Sequence, residues 1–176
     1  DSNNLILRNN HFYDSNVDCC VSGVTFLRSH YNRVYNNTFE DASDLIHLHA
    51  SNYNVIENNN LTHGLHDLFD IAGGSYTIIR GHYLYNEDWK IGEIMDREQG
   101  WPDPTLRNLV EDNVFAYTPP AINKSPASGI LFAGQNTIIR RNIFSDNVGG
   151  GIEFALHDST ESKNITNNKY FHNVFY

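Results

Sequence analysis

One six-residue frame limits the folds open to this chain: an aliphatic residue, two residues, Asn, one residue and a large apolar residue. The copies read LRNNHF (Leu7 to Phe12), VYNNTF (Val34 to Phe39), IENNNL (Ile56 to Leu61), IRGHYL (Ile79 to Leu84), VEDNVF (Val110 to Phe115), IRRNIF (Ile139 to Phe144) and ITNNKY (Ile165 to Tyr170). Their ends step by 27, 22, 23, 31, 29 and 26 residues. A unit this short cannot bury an apolar face alone, so the copies must stack and share one continuous core. Within each copy the apolar residues lie two apart, flanked by Asn and Gly, which is the pattern of strands and not of a 3.6-residue helical stripe. The spacing predicts an all-β solenoid of about seven coils, a single domain over residues 1–176, with no helix longer than a turn or two.

A second strand lies between frames, with Gly, Asp or Ser ahead of an apolar, any, apolar triplet: SGVTF, SDLIHL, HDLFDI, SGILF and GGIEF. Aligned, these make Val24, Ile46, Phe69, Ile130 and Ile152 one inward column and Phe26, Leu48, Ile71, Phe132 and Phe154 the next. Alternate residues of a strand face opposite ways, so Thr25, His47, Asp70, Leu131 and Glu153 form an outward column. Leu27, His49, Ala72, Ala133 and Ala155 follow as a further outward column. The fourth coil fits two registers, exposing either Lys90 or Glu93.

Asparagine occurs 24 times, and its register carries more than its abundance. Asn10, Asn37, Asn59, Asn113, Asn142 and Asn168 share one frame position, with His82 in the fourth coil. The position predicts a tight bend where Asn tolerates a left-handed backbone and stacked amides bond from coil to coil. Asn147, by contrast, is expected on a loop.

The N-x-I-x-x-N-x-F frame followed by a G-I-x-F strand resembles the right-handed parallel β-helix superfamily, the pectin-lyase-like fold, over nearly the whole chain. The resemblance implies three parallel sheets, an asparagine ladder at the bend between the second and third, and a polysaccharide groove on the outer face of the first. Relatives are lyases, hydrolases or epimerases on polysaccharides, and others are adhesins or phage tailspikes. The chain shows no N-T-D with D-D and G-H-G, no clear W-x-D-H or R-x-P-x-x-R, and no D-P-H-E, so fold alone does not choose among them. The run from His66 to Trp89 is similar to a stretch of secreted bacterial β-helix proteins in which a His-Asp pair and a later Asn-Glu-x-Trp recur. This resemblance implies a secreted or cell-surface protein.

The residues themselves point to the same region. His47 and Asp70 share the outward column in consecutive coils, about 4.8 Å apart at Cα. His49 lies two residues on, and His63, His66 and Asp67 are expected on the loop entering the Asp70 strand. A carboxylate beside an imidazole raises its proton affinity and fixes its orientation, which makes His47, His66, Asp67 and Asp70 candidate catalytic residues. Alternatively, the H-x-H of His47 and His49 with Asp70 can hold a divalent cation, zinc or calcium. An exposed sheet face also carries polar residues for solvation alone. Trp89, Trp101 and Tyr117 can stack on sugar rings, and Glu87 and Glu153 join Trp89 and Trp101 as candidate substrate-binding residues. Lys90, Arg97 and Lys124 are the basic groups nearest the two long insertions.

Composition narrows the partners. The net charge of −9 leaves no basic stripe for a phosphate backbone, so nucleic acid is not expected. It also disfavours a bare polyanionic glycan unless a cation bridges it. No run approaches the roughly 18 apolar residues of a membrane span. The two cysteines, Cys19 and Cys20, are neighbours, which excludes a disulfide framework. With no cap helix or polar capping coil at either end, further β-helix coils of a longer parent chain are expected on both sides. Two classes of function follow: a polysaccharide lyase or hydrolase working on an extended glycan along the first sheet, or a non-catalytic glycan-binding, structural or adhesin solenoid.

Overall fold

The computed structural model describes residues 3–13, 22–86, 91–95, 105–118, 128–154 and 165–176. Among these there are eighteen strands, β1 to β18 in chain order, every pairing is parallel, and no helix occurs. The strands form three stacks along the solenoid. The first holds β1 (Ile6–Arg8), β4 (Arg33–Tyr35), β6 (Val55–Glu57), β8 (Ile78–Arg80), β11 (Leu109–Glu111), β14 (Ile138–Arg140) and β17 (Lys169–Phe171). The second holds β2 (His11–Phe12), the first half of β5 (Thr38–His49), the first half of β7 (Asn60–Ala72), β9 (Tyr83–Tyr85), β12 (Val114–Tyr117), β15 (Ile143–Phe144) and β18 (Val174–Phe175). The third holds β3 (Ser22–Leu27), the second halves of β5 and β7, β10 (Gly92–Met95), β13 (Ile130–Phe132) and β16 (Ile152–Phe154). This third stack is the expected first sheet.

Three faces are therefore present, but they hydrogen-bond as two sheets, of seven and eleven strands. The cause is that β5 and β7 run unbroken through the bend between the second and third stacks. Alternation breaks there: Leu45 and Ile46, and Leu68 and Phe69, are consecutive and all buried. Two neighbouring side chains on the inside mark the place where the strand turns from one face to the next.

Each coil contributes its apolar side chains to the same columns. Val34, Ile56, Ile79, Val110 and Ile139 line the first stack, and Phe39, Leu61, Leu84, Phe115 and Phe144 the second, all buried. Phe12 stacks on Phe39 and Phe115 on Phe144 with ring centroids 4.6 Å apart. The fourth coil resolves to one register, with Gly92 opposite Phe69 and Glu93 opposite Asp70. Glycine is required at 92 because a Cβ there would lie 2.3 Å from Cζ of Phe69. Gly92→Ala is expected to cost about 1–3 kcal/mol of stability by overpacking, read as a lower urea midpoint. An unchanged midpoint would mean that the Phe69 ring swings aside freely.

The asparagine ladder runs Asn10, Asn37, Asn59, His82, Asn113, Asn142 and then Asn173, not Asn168. The backbone N–H of each residue from Asn10 to Asn142 donates to the side chain of the next coil. Asn168 belongs to a second ladder at the other end of the first stack, where the N–H groups of Asn32, Thr77 and Thr137 donate to Asn54, Asn108 and Asn168. The last frame is thus YFHNVF, Tyr170 to Phe175, since Tyr170 pairs with Ile139. The left-handed residues also differ from expectation, because they precede the ladder positions: Asn9, Asn36, Asn58, Gly81, Asp112, Arg141 and His172 at one corner, Asn4, Tyr31, Tyr53, Tyr76, Arg107, Asn136 and Asn167 at the other. A positive φ on either side of a three-residue strand turns the chain sharply twice.

On the outer face of the first stack, Glu57 takes Arg33 and Arg80 from the coils on either side, and Glu111 takes Arg140 and Arg141. Alternating charge along the column favours this register over its neighbours.

Candidate functional site

Strands β5, β7 and β10 carry the outward column His47, Asp70, Glu93 in consecutive coils. His47 Nε2 lies 2.8 Å from Asp70 Oδ2. The pair is less exposed than an outward column suggests, since the Asp70 side chain is 8 % and that of His47 18 % exposed. Glu93 is buried beside Asp70. His49, two residues along the same strand, packs its ring edge-on to His47 with centroids 3.8 Å apart. Burial first, and then the His47 imidazole, hold His49 below the ordinary imidazole range.

His66 and Asp67 lie within β7 and not on a loop before it. The register explains their placement. Ala42 pairs with Gly64 and Asp44 with Asp67, so β7 has one residue more than β5 across that interval. Such a bulge re-aims a side chain, and here His66 Nδ1 lies 3.1 Å from Asp44 Oδ1 and 3.0 Å from Asp67 Oδ2. The Asp67 N–H also donates to Asp44 Oδ1 at 3.3 Å. The hydrogen bond to Asp44 and then that to Asp67 raise His66 to about 10, outweighing burial. Burial alone would raise Asp44, but the His66 hydrogen bond and the His66 and His47 charges hold its carboxyl below the ordinary value.

Two trios thus share the patch, His47 with His49 and Asp70, and Asp44 with His66 and Asp67. In each, one potential ligand atom per residue lies within 4.8 Å of the others. His63 has a positive φ and sets its ring edge against Tyr85.

Of the other sequence candidates, Glu153 is exposed on β16, opposite Leu131, which in turn is opposite Glu93. Three coil steps, about 14 Å, separate it from Asp70, so it stands apart from the patch. Trp89, Trp101, Glu87, Lys90, Arg97, Lys124, Cys19 and Cys20 lie outside the described residues. Tyr117 stacks on Tyr85 at 5.6 Å in the second stack. Sequence reasoning missed Asp44 and left Glu93 open. The shared Asp-Leu of SDLIHL and HDLFDI was a signal for Asp44, because it sets Asp44 in register with Asp67.

Comparison with known proteins gives a family described as "Right handed beta helix region", matching residues 1–88. No curated protein matches the chain. Among solved structures, HetL, a pentapeptide repeat protein involved in heterocyst differentiation regulation from the cyanobacterium Nostoc sp. strain PCC 7120, is 10 % identical over 91 % of this chain and 90 % of that one. Its TM-score is 0.16.

Proposed function

The chain belongs to the right-handed β-helix family, and from that premise we propose that it acts on an extended glycan along the outer face of the third stack, as a polysaccharide lyase or hydrolase. A solenoid face repeating about every 4.8 Å offers a straight track rather than a closed pocket, which suits a linear polymer. The observation that carries the reading is the setting of His66. Its imidazole is 38 % exposed while the side chains of its partners Asp44 and Asp67 are 14 % and 0 % exposed. Buried carboxylates orient a ring that still meets solvent, the division of labour of a positioned proton donor.

Held protonated through neutral pH, His66 transfers its proton to the glycosidic oxygen as the bond to that oxygen breaks. In hydrolysis water adds to the anomeric carbon and the proton it releases restores His66, whereas in elimination the carbon bearing a uronate carboxyl loses its proton to water and a C=C bond forms. Asp44 and Asp67 fix the ring and stabilise its charge. His47 and Asp70 form a second imidazole–carboxylate pair beside it. The net charge of −9 favours a neutral glycan, or an acidic one bridged by cations. Such a substrate carries with it a secreted or cell-surface location.

The test is cleavage of a panel of neutral and acidic polysaccharides, followed by new reducing ends and unsaturated products. His66→Gln should lower kcat/KM by about 100-fold with the urea midpoint little changed. Activity that depends on the His66 proton is kept below its raised pKa and lost as pH climbs through about 10. Full rate in His66→Gln removes His66 as the donor, and tight glycan binding with no product overturns the enzymatic reading in favour of a non-catalytic adhesive surface.

A further inference from the structure

We infer that His47, His49 and Asp70 bind a zinc-class divalent cation on the outer face of the third stack. Residues two apart on a strand project from the same face, so the H-x-H of β5 delivers two imidazoles to one side. The parallel register sets Asp70 of β7 directly opposite His47. All three residues sit on strands paired on both sides, which fixes their backbone before any ion arrives.

The distances suit a small cation. Zinc holds imidazole nitrogen and carboxylate oxygen at about 2.0–2.2 Å in tetrahedral geometry, so neighbouring ligand atoms stand roughly 3.2–3.5 Å apart. His47 Nε2 and Asp70 Oδ2 are in direct contact at 2.8 Å and open by about 0.5 Å around an ion, and a ligand atom from each of the three residues lies within 4.8 Å of the others. Rotamer adjustments of under about 1.5 Å therefore assemble the site.

A second observation is independent of this clustering. Asp70 is 6 % exposed, and its Oδ1 is buried with no hydrogen-bond donor among the described residues. A buried carboxylate oxygen left without a donor is costly, and a cation relieves that cost. Glu93 lies beside Asp70 in the next coil and sets a further carboxyl group near a bound ion.

Ligand chemistry selects among ions. Two imidazoles and one carboxylate suit zinc and its transition-metal neighbours, whereas calcium takes six to eight oxygens. Three protein ligands leave a fourth zinc position for water or substrate. The other trio is the weaker candidate, because Asp44 already accepts from the His66 ring and the Asp67 N–H. The inference sharpens the glycan reading by giving His47 and Asp70 to the metal and the proton to His66. It does not depend on that reading, since metal affinity is measured with no glycan present.

The experiment is calorimetric titration of the chelator-stripped protein with Zn2+ and, separately, with Ca2+. The expected result is a single zinc per chain, bound far more tightly than calcium. His49→Gln should weaken zinc by at least about 100-fold, since even outer-shell partners of a metal are worth about 10–100-fold. His66→Gln should leave zinc affinity within about twofold. Should His49→Gln fail to fold, the cobalt(II) form of the unaltered protein decides. Strong visible absorption supports a four-coordinate nitrogen-rich site, and only weak absorption, as from a six-coordinate oxygen site, overturns it. The inference is equally overturned if the unaltered protein takes no zinc, prefers calcium, or loses zinc on His66→Gln but not on His49→Gln.

Discussion

Asn142→Ala is expected to lower the stability of the solenoid by about 3 kcal/mol. Asn142 is fully buried, and its side chain works in both directions along the axis. Its Oδ1 accepts from the N–H and the Nδ2 of Asn113, each at 3.0 Å. Its Nδ2 donates to the carbonyls of Val110 and Arg140 and to Asn173 Oδ1 at 3.0–3.1 Å. Alanine leaves the buried Asn113 N–H and Val110 carbonyl without these partners, and an unsatisfied buried group costs about 1–3 kcal/mol. Urea midpoints measure the loss, with the exposed Asn60→Ala as a comparison expected to stay within about 0.5 kcal/mol. Equal midpoints would contradict a ladder that matters energetically. Asn147, which the sequence places on a loop, does not serve as that comparison, because its Nδ2 donates to the Phe115 and Ser145 carbonyls.

Acid should weaken the protein through a single imidazole. His82 replaces asparagine in the ladder and reproduces its bonding: Nδ1 accepts from the Asn59 N–H at 2.9 Å, and Nε2 donates to the Ile56 carbonyl at 3.1 Å. That tautomer is neutral, and burial pushes His82 down to about 4 despite the carbonyls beside it. The unfolded chain, with an ordinary imidazole near 6.5, binds this proton more tightly than the folded one. Stability that rests on a neutral His82 is therefore complete above pH 6.5 and is lost as the pH falls toward 4. A displacement of this size corresponds to roughly 3 kcal/mol. His82→Asn keeps an acceptor and a donor at the position but removes the titration. Unfolding at pH 7.5 and pH 4.5 should show a steep loss in the natural protein and a loss smaller by roughly 3 kcal/mol in His82→Asn. Parallel losses in the two proteins would assign the acid sensitivity to other groups.

The columns were legible because a parallel stack places like on like: Ile46 over Phe69 fixed His47 over Asp70 without further information. The last coil slipped because two asparagine ladders lie five residues apart, so Asn168 and Asn173 satisfy the same local pattern. Only pairing with the previous coil distinguishes them. His66 was legible as a candidate but its partner Asp44 was not, since their contact depends on a bulge that strict period-two counting cannot represent. Glu93 was undecided until the Phe69 ring claimed the space over Gly92. The depth of Asp67 was equally hidden, because the strand bends beside it, where two successive side chains turn inward.

The twin corners around the first stack act as a gauge of constant length. From Asn32 and Asn37 through Asn168 and Asn173, every coil advances by the same five residues between ladders, although repeat lengths along the chain range from 22 to 31. Surplus chain is admitted elsewhere, in the connections between β2 and β3, β10 and β11, β12 and β13, and β16 and β17, each of which enters or leaves the third stack. That stack is the face that carries His47, Asp70 and His66. The chain entering and leaving that face can therefore change in length while the five-residue spine that holds the coils in step stays the same.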